Sequence, residues 1–125
     1  MSIKVLVVGD VMLDEYIVGK CDRVSPEAPV LVLNAKTNDV KLGGACNVAN
    51  NLRALGVSSS ILSVIGKNKQ ASRENKTLIK LLDEQNISHY LIKQKHRQTT
   101  IKTRVMASSH QIVRIDKENN DNISD

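Results

Sequence analysis

Asp10, Asp14, Gly43, Gly44 and Asn47 have the types and spacing to hold a polyhydroxylated ligand. The two aspartates follow the apolar run at residues 3–8, whose β-branched composition predicts a buried central strand. In open α/β sheets the ligand crevice lies beyond the carboxyl ends of such strands. An ionised aspartate only accepts hydrogen bonds, so each can take one or two hydroxyls. The glycine pair lets the backbone approach a ligand closely or turn with positive φ, and a helix directly behind it presents N–H groups that have no partner within the helix. Asn47, in the first turn of that helix, both donates and accepts, which suits a hydroxylated molecule better than a bare anion.

The elements that must position these residues are readable from periodicity. Ala45, Val48, Ala49, Leu52 and Leu55 repeat at the spacing of one buried helical face, and Gly56 is the expected stop. Between residues 15 and 42 the pattern changes to short strands at 16–18, 29–34 and 40–41, joined by the turn-rich 23–29. This predicts a small antiparallel flap, able to cover a ligand or pair with a second subunit. Residues 60–66 read as a second core strand, which completes a right-handed crossover unit. Residues 67–75 read as loop, 76–85 as a helix stopped near Asn86, and 87–93 as a strand. Residues 99–106 alternate in period two and put Thr100, Lys102 and Arg104 on one face. Residues 111–116 are the expected partner strand across a turn at 108–110, with Asp116 following the flap strand too far from the crevice to act there. The polar stretch 117–125 is expected to be loose.

Composition excludes several classes. At 125 residues the chain is at most one domain's worth, and Leu, Ile, Val and Ala supply its core because Phe and Trp are absent. The net charge of +5 with only two tyrosines gives too few stacking aromatics for a nucleic-acid surface. Cys21 and Cys46 have no metal-ligand spacing and read as reduced thiols of a cytoplasmic protein. His89, His96 and His110 show no ligand spacing, so no metal site is expected. No apolar run is long enough to cross a membrane, and no signal peptide or internal repeat is expected.

Five separated stretches carry a resemblance: residues 5–14 (VLVVGDVMLD), 23–30 (RVSPEAPV), 43–49 (GGACNVA), 99–105 (TTIKTRV) and 111–116 (QIVRID). In this order they resemble the amino-terminal part of the ribokinase-type (PfkB) carbohydrate kinases, and within these the branch acting on heptose 7-phosphate. The resemblance implies an α/β fold with a ribokinase-like parallel sheet, flanking helices and a small β-flap (lid) drawn from 15–42 and 97–116, incomplete at the C-terminus. It implies that Asp14 holds sugar hydroxyls and that Gly43, Gly44 and Asn47 line the sugar site, while Asp10, Lys102 and Arg104 match further motif positions. Arg and Lys reaching in from a flap suit the phosphate on such a sugar.

The family uses ATP and Mg²⁺ and places its catalytic base in a Gly-Ala-Gly-Asp motif farther downstream. No Gly-x-Gly-Asp occurs here, and Gly66-Lys67-Asn68 stands where relatives commonly have Gly-x-Asp. The expectation is therefore a sugar-phosphate-binding part, without a catalytic residue of its own, that does not hold ATP or Mg²⁺ well alone. The apolar flap strands predict a homodimer through the flap. The rival readings are a non-catalytic binding or dimerisation module derived from such a kinase, and a dinucleotide-binding domain. The latter is weakened because no G-x-G-x-x-G follows the first strand.

Overall fold

The computed structural model describes residues 3–124. Along the chain come β1 (Lys4–Val8), β2 (Val11–Val24), β3 (Leu31–Gly44), α1 (Ala45–Ala54), β4 (Ser58–Gly66), α2 (Lys69–Glu84), β5 (Ser88–Gln94), β6 (Thr100–Ala107) and β7 (His110–Lys117). β1, β4 and β5 form a parallel sheet in the order β1-β4-β5, and the other strands form a second sheet in the order β3-β2-β6-β7. Crossing from β1 to β4 and from β4 to β5 moves the same way across the first sheet, so right-handed connections put α1 and α2 on one face. The core lies there: Cys46 and Ala49 of α1, Leu78 and Leu82 of α2, Ile61 and Ile65 of β4, and Val11 and Leu13 from the start of β2.

β1 is not the central strand expected from its composition. It sits at an edge, and Leu6 and Val8 are 55% and 69% exposed. With both helices on one face, the other face of this sheet is uncovered, and Leu6, Val8, Tyr90 and Ile92 lie on it. β4 takes the centre, its buried positions alternating along the strand as a sheet covered on one side requires.

The helices also depart from expectation. α1 buries Ala45, Cys46 and Ala49, whereas Val48 and Leu55 are 50% and 80% exposed. The small residues win because α1 lies close on β4, where Ser59 donates to the Ala49 carbonyl at 2.9 Å. Gly56, with φ +82°, ends the helix as expected. α2 begins at Lys69, inside the stretch read as loop, because Asn68 caps it by accepting from the Ala71 N–H at 2.8 Å. Its buried stripe is Ala71, Asn75, Leu78 and Leu82, and the polar Asn75 hides the apolar period.

Asn75 belongs to a buried knot that fixes one sheet against the other. Its amide donates to the Gly66 carbonyl at 2.7 Å, it accepts from the Thr99 hydroxyl, and the Gly66 N–H donates to Thr99 Oγ1 at 3.1 Å. A Cβ on Gly66 would lie 2.3 Å from the Arg97 carbonyl oxygen, so the chain entering β6 is pressed onto the end of β4. A second tie is the Val11 N–H donating to Ser63 Oγ at 3.3 Å.

The strands read at 16–18 and 40–41 are parts of two fourteen-residue strands, β2 and β3, paired antiparallel with bulges at Val18/Gly19 and Cys21/Arg23. Pro29, read as the start of a strand, lies before β3, consistent with its lack of an N–H for the ladder. The second sheet is mixed, since β2 and β6 run parallel. The stretch after Lys117 is tethered rather than loose: the Gln98 N–H donates to Asn119 Oδ1 at 2.7 Å and Arg97 donates to the Asp121 carbonyl at 2.9 Å.

Burial pushes the Cys46 thiol up to about 12, so it stays neutral in the fold. An unfolded thiol ionises near 8.5, so this site contributes stability that is full below that pH and is lost as pH rises toward 12. Iodoacetamide at pH 8 is expected to label the partly exposed Cys21 and to spare Cys46 until denaturant is added, as read by mass spectrometry of the peptides. Equal labelling of both in the folded chain would contradict this burial.

Candidate functional site

The residues of interest lie where β2, β3 and α1 meet and on one face of the second sheet. β2 starts directly after the aspartate that ends the β1 connection, and alternation puts Met12, Asp14 and Tyr16 on the face opposite the core residues Val11 and Leu13. In register with Asp14 stand Lys41 on β3 and Lys102 on β6, and in register with Tyr16 stand Asp39 and Arg104. Beyond β6, Asp116 faces Lys102 and Arg114 faces Arg104.

Asp14 and Arg104 form an ion pair, with Arg104 Nη1 donating to Asp14 Oδ1 at 2.9 Å and each side chain 23% exposed. The hydrogen bond to Asp14 is the main reason that the Arg104 guanidinium is held above its ordinary pKa. Gly43 is the floor beneath the carboxylate: a Cβ there would come within 2.4 Å of Asp14 Oδ2. Gly44 has φ +57° and is the residue before α1, and a Cβ there would lie 2.5 Å from the Asp10 carbonyl oxygen. That carbonyl accepts from the Ala45 N–H at 2.9 Å, so Asp10 fixes the start of α1 through its backbone and leaves its own side chain at the surface. Asn47 is exposed on the first turn of α1.

The structure therefore brings Asp14, Gly43, Lys102 and Arg104 onto one surface, with Gly44, Asp10 and Asn47 at its α1 end. Asp116 lies within β7, opposite Lys102 and two strands from Asp14. It pairs with Arg114 at 3.0 Å. Tyr16 and Lys41 also fall on this face, and counting by two from Asp14 and from Gly43 reaches both. Lys102 has no carboxylate within 4.0 Å among the described residues, unlike Arg104, Arg114 and Lys41. A hollow of about 350 Å³ lined by Gln70, Glu74, Thr99 and Lys117 opens on the α2 side instead. Among the described residues, no three His, Cys, Asp or Glu side chains are placed to hold a metal ion. No described helix is long and apolar enough to cross a membrane.

A parallel sheet with its helices is joined to a second sheet that carries a carboxylate and cations side by side on one face. The family model for pfkB family carbohydrate kinases matches residues 2–125, and the chain belongs to that family. Within it, the chain is 49% identical over 125 residues to the bifunctional protein HldE of Citrifermentans bemidjiense, a match covering 98% of this chain and 25% of that protein. The ribokinase-like fold is shared with a carbohydrate kinase from Agrobacterium tumefaciens (TM-score 0.71, 17% identity, 92% of this chain and 35% of that one). It is shared also with Arabidopsis thaliana ribokinase complexed with ribose and ATP (TM-score 0.66, 19% identity, 94% of this chain and 36% of that one). The chain thus spans about a quarter of the length of the curated relative and about a third of the solved ones.

Proposed function

We propose that this chain is the sugar-phosphate-binding part of a kinase that uses ATP to phosphorylate D-glycero-D-manno-heptose 7-phosphate at its anomeric hydroxyl. The product would feed ADP-heptose and lipopolysaccharide core synthesis in the cytoplasm. The observation that carries this reading is the pairing of Asp14 with Arg104 on one face with Lys102. A sugar bearing a phosphate needs a hydroxyl acceptor and cations within one molecule's reach, and this surface supplies both. Asp14 accepts hydroxyls, aided by Asp10, Asn47 and the backbone at Gly43 and Gly44. Lys102 and Arg104 take the phosphate, and the sheet drawn from 15–42 and 97–116 acts as a lid. ATP and Mg²⁺ belong to the reaction, and neither is assigned to particular side chains of this chain.

β3 ends the second sheet with an unpaired edge and carries the exposed Leu31, which supports a homodimer through the lid. Sedimentation that shows only monomer at high concentration would remove the dimer. A non-catalytic dimerisation module would keep that edge and have no use for Asp14. The test is a hybrid in which these residues replace the matched stretch of the Citrifermentans bemidjiense protein, assayed by ADP release. Heptose 7-phosphate is expected to exceed fructose 6-phosphate roughly tenfold or more in kcat/KM. Equal or better turnover of fructose 6-phosphate would overturn the substrate assignment.

A further inference from the structure

Tyr16 is engaged by two cations from different strands. The Arg104 guanidinium carbon lies 5.4 Å from its ring centroid and Lys41 Nζ lies 5.7 Å from it. Both distances are within the range in which a ring's negative face attracts a cation. Arg104 is thus held twice, by the Asp14 carboxylate and by the ring in register with it. Lys41 is held by the ring and, weakly, by Asp39 at 4.0 Å, both of these side chains being about two-thirds exposed. Lys41 and Arg104 come from the strands on either side of β2, so the ring gathers them next to Asp14.

We propose that Tyr16 is a positioning residue that holds Arg104 and adds Lys41 to the phosphate seat formed by Arg104 and Lys102, making the site selective for the phosphorylated over the free sugar. This rests on the sugar-phosphate reading above. A phosphate monoester carries between one and two negative charges near neutral pH, and bringing it beside the Asp14 carboxylate requires more than one cation. The ring and Asp14 offset the mutual repulsion of the two cations while the seat is empty, and the phosphate takes over that task on binding. A free heptose makes no such demand and meets only Asp14 and the glycine-rich end of α1.

The test is titration calorimetry of the 125-residue chain with heptose 7-phosphate and with unphosphorylated heptose, for the parent, Tyr16→Leu, Tyr16→Phe and Lys41→Met. Circular dichroism checks the fold, and KM in the hybrid kinase provides the same comparison if the separate chain does not stay folded. Tyr16→Leu and Lys41→Met are expected to weaken heptose 7-phosphate about fivefold each and to leave free heptose within about twofold. Tyr16→Phe, which keeps the ring, restores parental affinity. Equal losses for both sugars, no loss, or a Phe variant as weak as the Leu variant would overturn the role of Tyr16. Failure of the parent itself to bind the phosphorylated sugar in both formats would instead overturn the sugar-phosphate reading, and this proposal with it.

Discussion

Asp14→Ala in the hybrid kinase is expected to raise KM for heptose 7-phosphate and to lower kcat/KM about 10- to 100-fold. The size follows from hydrogen bonds to a charged group, each worth about 1.5–3 kcal/mol. Two effects act together. The sugar loses a charged acceptor, and Arg104 loses the carboxylate that orients it at 2.9 Å. Asp14→Asn should recover part of the loss, because an amide oxygen still accepts but carries no charge to hold the guanidinium. The glycine floor predicts a related defect: Gly43→Ala would push a methyl against Asp14 Oδ2 and displace the carboxylate without changing its chemistry. Kinetics of Asp14→Ala equal to the parent's, in a folded hybrid, would remove Asp14 from the site.

The 125-residue chain alone is expected to release no ADP above background with ATP, Mg²⁺ and heptose 7-phosphate. Phosphoryl transfer needs the nucleotide held in line, a metal to neutralise its phosphates and a base at the attacking hydroxyl. The chain has six glycines, none in a Gly-x-Gly-Asp sequence. Asp14 is engaged by Arg104, and Asp116 by Arg114. The uncovered face of the first sheet points the same way. Leu6, Val8, Tyr90 and Ile92 stand in water although a parallel sheet is ordinarily covered on both sides. Covering that face is work for further protein, and a chain without it should self-associate and bind apolar dyes. ADP release at an ordinary kinase rate, on the order of 1–100 per second, would require a base and a nucleotide site among these residues.

Part of the geometry of the candidate site is legible in the sequence because its signals are local. The glycine pair predicts a turn with positive φ or a close approach to a ligand, and Gly44 makes such a turn with φ +57°. Period two in 99–106 placed Lys102 and Arg104 on one face, where the structure has them. Long-range facts were not legible. Nothing in the composition of β1 distinguishes a central strand from an edge strand left open on one side. The Asp14–Arg104 contact depends on β2 and β6 pairing in parallel across ninety residues of sequence, which no local pattern encodes. The first turns of α2 are not legible because Asn75, buried for its bonds to Gly66 and Thr99, breaks the apolar stripe that marks a helix. α1 was read with Val48 inward because larger apolar residues outweigh Ala and Cys in a pattern, while close packing on β4 favours the small ones.

A sugar phosphate is expected to bind on the Asp14 face at the start of α1. The most direct measurement is a titration of the ¹⁵N-labelled chain with heptose 7-phosphate, followed by amide chemical shifts, with the labelled hybrid used if the chain does not stay dispersed. The account predicts saturable shifts at Asp14, Gly43, Gly44, Asn47, Lys102 and Arg104, weaker in Asp14→Ala. Shifts confined to the α2-side hollow around Gln70 and Lys117, or none at millimolar ligand, would contradict it.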